Sequence, residues 1–180
     1  MNKKHIRFGE LYLWMQSFVI MLLLVLGFLT FVGGPIGVQN ISMMPTLAEH
    51  DRMIVRNLLY TPDRGDIIVF SRHDFEDGAA LVKRVIGLEG DVIDIDTISG
   101  LVYVNGIALY EPYVNDLTRR LGSVHFPFTV PAGHVFVLGD NRNNSLDSRD
   151  IDIGAIDERE IIGQVVAVVL PLNRARLFLH

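Results

Sequence analysis

Ser42, Lys83 and a dense polar cluster near residue 145 are the parts of this chain suited to nucleophilic chemistry. Ser42 lies in QNISMMPTL, residues 39 to 47, between apolar neighbours. A serine hydroxyl attacks an amide only when a base takes its proton, and that base is a histidine oriented by a carboxylate or a lysine kept neutral. The six histidines are scattered, without HExxH or other metal-ligand spacing, and none is assigned a catalytic role. Of the three lysines, Lys3 and Lys4 precede the longest apolar run, and Lys83 alone follows it. ALVKRVIGLEGD places Lys83 in a strand-like segment, where alternation aims Lys83 and Val85 at one face and Val82 and Arg84 at the other. Burial on an apolar face would lower the amine's pKa and let Lys83 take the Ser42 proton. A strand lysine at a water-exposed edge, with Ser42 in a juxtamembrane loop, fits the same residues.

GDNRNNSLDSRD, residues 139 to 150, directly follows the apolar run HVFVL. It reads either as a surface loop of Asx turns or as the hydrogen-bonding shell that a buried amine needs. In the second reading Ser145 supplies an orienting hydroxyl, and Asp147 with Arg149 forms an ion pair that stiffens the loop.

These residues need elements to hold them. LYLWMQSFVIMLLLVLGFLTFV, from Leu11 to Val32, carries no charge and suits a helix crossing a ~30 Å hydrocarbon core. It is longer than a signal-peptide core, and GGPIG follows it in place of a small-x-small cleavage site, so the expectation is an uncleaved anchor. Lys3, Lys4 and Arg7 precede it, whereas the next basic residue is Arg52. The positive-inside rule then makes residues 1–10 a short cytoplasmic N-terminus, residues 11–32 a single-pass anchor in the cell membrane, and residues 33–180 one extracytoplasmic domain. Tyr12 and Trp14 suit an interfacial belt, and Gly33, Gly34 and Pro35 suit a helix stop. About ten residues separate Val32 from Ser42, a reach of at most ~33 Å, so Ser42 works close to the membrane surface.

Beyond the anchor the pattern is β: RMIVRN, DIIVFSR, DVIDID, LVYVNGIAL, HVFVLGD and QVVAVVL are Val- and Ile-rich runs bounded by turn residues. Asn105-Gly106 signals a tight hairpin and Ser99-Gly100 another turn. The fold class is therefore mainly β, one transmembrane helix followed by an antiparallel β-rich domain without an internal boundary. NDLTRRLGSVHFP, residues 115 to 127, breaks the alternation and is expected to be an exposed loop or small insertion. A length of 180 residues accommodates the anchor and one core. The net charge of -5 argues against a nucleic-acid partner, and the absence of cysteine excludes disulfides, thiolate metal sites and cysteine nucleophiles.

Taken together, SMMPTL, VKRVIGLEGD and GDNRNNSLDSRD, in this order and after an N-terminal anchor, resemble the boxes of bacterial type I signal peptidases, membrane-anchored serine endopeptidases. GQVVAVVLPL, after GAI and REIIG, resembles the family's C-terminal pattern, so the likeness spans nearly the whole chain. It implies cleavage of signal peptides from exported preproteins after small residues (Ala-x-Ala-like sites), with Ser42 as nucleophile, Lys83 as general base and Ser145 orienting the amine. It also implies structural ion pairs Asp147–Arg149 and Arg84–Asp140, and an extended substrate lying in an apolar groove, with Met43, Val82 and Leu81 as pocket walls or ordinary core. The best-known bacterial pattern has serine or glycine two residues before the nucleophile. Here Asn40 stands there, and its amide is expected to complete the oxyanion hole with the Ser42 N–H. No cofactor or metal enters this scheme; the implied partners are preprotein signal peptides and the lipid bilayer, and a monomer is the simplest assembly. A conjugation-pilus-type Ser/Lys peptidase is the alternative, and a catalytically silent, membrane-tethered binding domain a more distant one.

Overall fold

In the computed structural model, residues 8–32, 36–37, 41–72 and 79–178 are described. The helix α1 (Phe8–Val32) starts three residues ahead of the uncharged run, taking in Glu10 in its first turn. Its segment Gly9–Leu26 has a mean hydropathy of 1.8 and none of its residues is buried in the protein, so α1 is long and apolar enough to cross a membrane.

The remaining chain is antiparallel β in every pairing among the described residues. The larger sheet contains β1 (Ile36–Gly37), β2 (Arg52–Arg56), β3 (Ile67–Ser71), β4 (Ala80–Gly87), β9 (His134–Leu138), β10 (Ile156–Asp157), β11 (Ile161–Leu170) and β12 (Arg176–Leu177). Its order is β1-β2-β11-β3-β4-β9-β10, with β12 also paired to β11. The smaller sheet contains β5 (Val92–Asp96), β6 (Leu101–Val104), β7 (Ile107–Ala108) and β8 (Phe128–Thr129), in the order β7-β6-β5-β8. The Val- and Ile-rich runs all became strands, and Asn105 and Gly106, both at positive φ, close the β6–β7 hairpin. The two-residue strands β1, β8, β10 and β12 carry too few residues for an alternation to show.

Central β4 is apolar on both sides because apolar clusters cover both faces of the larger sheet. Val82 packs on one side with Met43, Leu47, Met53, Ile67, Val69, Val165 and Val168, while Leu81 and Val85 pack on the other with Ile68, Phe70, Val135 and Val137. A third cluster joins Ile86, Phe136 and Leu138 to Ile93, Ile95, Val102 and Val104 of the smaller sheet. The two sheets approach so closely that a Cβ on Gly87 would lie 2.5 Å from Ile93 Cδ1.

Register then places the polar cluster. β9 pairs Val137 with Val85 and Leu138 with Arg84, so its ladder with β4 stops one position before Lys83, and the chain turns away at Gly139. Residues 115–127 form no strand, as their composition suggests. They are not wholly exposed, however: Thr118 is buried and its N–H bonds the Gly100 carbonyl, a tie between positions too distant for local patterning to reveal.

Candidate active site

Ser42 occupies a tight turn whose shape follows from SMMPTL. Met43 and Leu47, four positions apart, sink into the same apolar cluster, and the Leu47 N–H closes on the Met43 carbonyl at 2.8 Å. That anchors the turn from beneath and leaves Ser42, 6% exposed, at its head. Lys83 comes from β4 with Ile68 opposite it across the β3 ladder, and it is 2% exposed. Its Nζ donates to Ser42 Oγ at 2.8 Å and to the Val82 carbonyl at 3.1 Å. The serine and the lysine are thus within one hydrogen bond despite lying 41 positions apart.

The polar cluster holds this pair by its backbone. Asn141 N–H donates to the Ser42 carbonyl at 3.0 Å, and Asn141 Nδ2 donates to the Ile41 carbonyl at 3.1 Å. Gly139 is required for the fit: a Cβ there would stand 2.2 Å from Ser145 Oγ and 2.5 Å from the Ser42 carbonyl. Gly139 N–H in turn donates to Asp147 Oδ2 at 3.0 Å. Asp147 and Arg149, both fully buried, form a bidentate pair at 2.7 and 2.8 Å, and Arg84 makes a second with Asp140 at 2.8 and 2.6 Å. Burial alone would raise the Asp147 pKa, but the Arg149 guanidinium and the Gly139 N–H outweigh it and hold the carboxyl below the usual carboxylate range.

Ser145 is buried beside Gly139 and near Asp147, and among the described residues its Oγ has no hydrogen-bond partner. Of the three expected pocket residues, Met43 and Val82 share one apolar cluster, whereas Leu81 faces the opposite one. Asn40 lies outside the described residues. Sequence patterning missed Arg142, Glu111, Thr118 and Tyr113, which also close on this loop. Arg142 stands inside the motif stretch, but its partners lie in the segment read as loop or just before it. Among the described residues, no group of His, Asp and Glu side chains is arranged to hold a metal ion.

Residues 11–170 match the model of the family described as "Signal peptidase, peptidase S26". The chain belongs to this signal peptidase family. It is 37% identical over 173 residues to signal peptidase I P of Bacillus subtilis subsp. natto, covering 91% of each chain. It is 34% identical over 185 residues to signal peptidase I of Bacillus licheniformis, covering 97% of this chain and 95% of that one. A crystal structure of a signal peptidase I from Enterococcus faecalis aligns with 59% of this chain and 97% of that one, at 32% identity and a TM-score of 0.49. Neither the pilus-type peptidase nor the silent binding domain finds support in these relatives, and the resemblance read from the three boxes holds.

Two measurements test the packing of the loop. Gly139→Ala forces Ser42 or Ser145 aside, and displacement of reacting groups by about 1 Å is expected to lower kcat by on the order of 10²-fold. Assay of the folded variant on a peptide substrate checks this. Asp147, with its folded pKa depressed, adds stability that is fully present above the ordinary carboxylate pKa and is lost as pH falls through the folded value. Asp147→Asn leaves Arg149 buried without a counter-charge, so denaturant unfolding should show a loss of about 3 kcal/mol at pH 7 and a smaller further loss on acidification than in the parent.

Proposed function

We propose that this chain is a membrane-anchored serine endopeptidase that removes signal peptides from exported preproteins, with Ser42 as nucleophile and Lys83 as general base. The observation that carries this reading is the 2.8 Å contact between Lys83 Nζ and Ser42 Oγ, both buried, in a chain of the signal peptidase family. Burial disfavours the ammonium form, and a neutral amine at that distance accepts the hydroxyl proton as Oγ attacks the scissile carbonyl. The Ser42 backbone N–H and the Asn40 amide stabilise the oxyanion. Lys83 next delivers the proton to the leaving amine, which becomes the N-terminus of the mature chain. It then takes a proton from the water that hydrolyses the acyl-serine.

Ser145 orients the lysine during this proton traffic, when the ammonium has most need of an acceptor. The β9 ladder stops at Arg84, so the β4 edge from Ala80 to Val82 is not covered by β9 and suits an extended substrate added as a strand. Met43 and Val82 would form the pocket wall for the small residue before the cut. The helix α1 serves as the anchor, with residues 1–10 cytoplasmic and residues 33–180 extracytoplasmic as a monomer. With Ile36 only a few residues past Val32 and β1 paired to β2, the catalytic sheet is held near the bilayer where a signal peptide is still embedded. Confinement of both partners to one surface raises their effective concentration.

Incubation of the purified protein with a preprotein, followed by N-terminal sequencing of the product, tests the assignment. Ser42→Ala and Lys83→Ala are each expected to abolish cleavage while thermal unfolding stays cooperative, and retained cleavage in either contradicts the dyad. Asn40→Ala is expected to lower kcat by on the order of 10²-fold, and an unchanged kcat removes Asn40 from the oxyanion hole.

A further inference from the structure

The loop that backs Ser42 is gripped from a second direction. Arg142, 1% exposed, sends Nε to the Gly139 carbonyl at 3.2 Å and Nη1 to both Glu111 Oε2 at 2.8 Å and Thr118 Oγ1 at 3.1 Å, while Nη2 bonds Glu111 Oε1. Glu111 Oε1 also accepts from Tyr113 Oη at 2.9 Å. The Tyr113 ring lies 3.9 Å beneath the Arg84 guanidinium, which is itself paired with Asp140. The segment following β7 therefore reaches both Gly139 and Asp140, the two residues at which the chain leaves β9.

Each end of Gly139 is thus held by a charged side chain, its N–H by Asp147 and its carbonyl by Arg142. Its Cα face meets the Ser42 carbonyl and Ser145. Buried ion pairs add little net stability over apolar residues of the same volume, because desolvation consumes most of their attraction. What a bidentate guanidinium pair does supply is a fixed direction, since its planar fork matches the carboxylate in one orientation. Here the direction fixed is that of the Gly139 carbonyl.

We propose that Arg142 and Glu111 are positioning residues for the reaction: through Gly139 and Asn141 they set where the Ser42 turn rests, and so the separation of Ser42 Oγ from Lys83 Nζ. This deepens the Ser42–Lys83 assignment and rests on it. Such residues do not touch substrate, so their loss acts on kcat and leaves KM nearly unchanged.

The test is a kcat and KM comparison on one peptide substrate with the full-length enzyme in detergent. Arg142→Lys keeps the charge but loses the fork, and it is expected to lower kcat by about 10- to 100-fold with KM changed by less than about twofold. The paired replacement Glu111→Leu with Arg142→Met removes both charges at similar volume and should show the same split in a folded protein. Arg159→Ala, which breaks the exposed pair with Asp157, should leave both constants unchanged. A parental kcat in either Arg142 variant, or a loss confined to KM, overturns the proposal. If the paired variant does not fold, Tyr113→Phe decides: it deletes one hydrogen bond to Glu111 and no charge, so a kcat several-fold lower at constant KM supports the proposal, and an unchanged kcat overturns it. Activity retained in Ser42→Ala would instead overturn the dyad itself, independently of what Arg142 does.

Discussion

A lysine amine taken out of water and set against a serine hydroxyl is the constraint around which this domain is arranged. For Lys83 to act as the proposed base, the surroundings must favour the neutral form and still aim it, since an ammonium there would only donate hydrogen bonds. Strand β4 meets the first need by being covered on both faces, which leaves Lys83 among side chains rather than solvent. The loop beyond β9 meets the second need, and does so without leaving bare negative charge beside the amine. A carboxylate facing the amine would favour its charged form, but Asp140 and Asp147 are each held bidentately by an arginine, Arg84 and Arg149.

The antiparallel register explains why three separated stretches of sequence meet. Ser42 rides on a turn pinned by Met43 and Leu47 into the cluster that also contains Val82. Lys83 follows Val82 in β4, and Gly139 follows the last β9 residue paired to that strand. A slip of one residue in either ladder would carry Lys83 to the other face of the sheet, away from Ser42. Apolar clusters pack on both faces, so core packing also sets the contact between Ser42 and Lys83.

Much of this was legible in the chain because it is local or periodic. The apolar run, the Val/Ile alternation and the Asn105-Gly106 hairpin each follow from residues within a few positions of one another. Lys83 stood out by subtraction, as the one lysine beyond the apolar run, and Asp147 with Arg149 by their closeness. The partners of Arg142 were not legible, since Glu111 and Thr118 lie 31 and 24 positions away in a segment without periodicity. Alternation does put Leu81 and Val82 on opposite faces of β4, but it could not say which of them Met43 joins, because that contact links positions about forty residues apart in a strand buried on both faces.

The proposed dyad requires Lys83 to be neutral when it meets Ser42. With only three lysines in the chain, selective isotope labelling of lysine and NMR titration of the side-chain signals isolates it, Lys3 and Lys4 serving as internal references. If the dyad operates, Lys83 is expected to titrate well below the ordinary lysine value of about 10.4 while Lys3 and Lys4 titrate near it. A Lys83 signal that titrates together with those of Lys3 and Lys4 would contradict it.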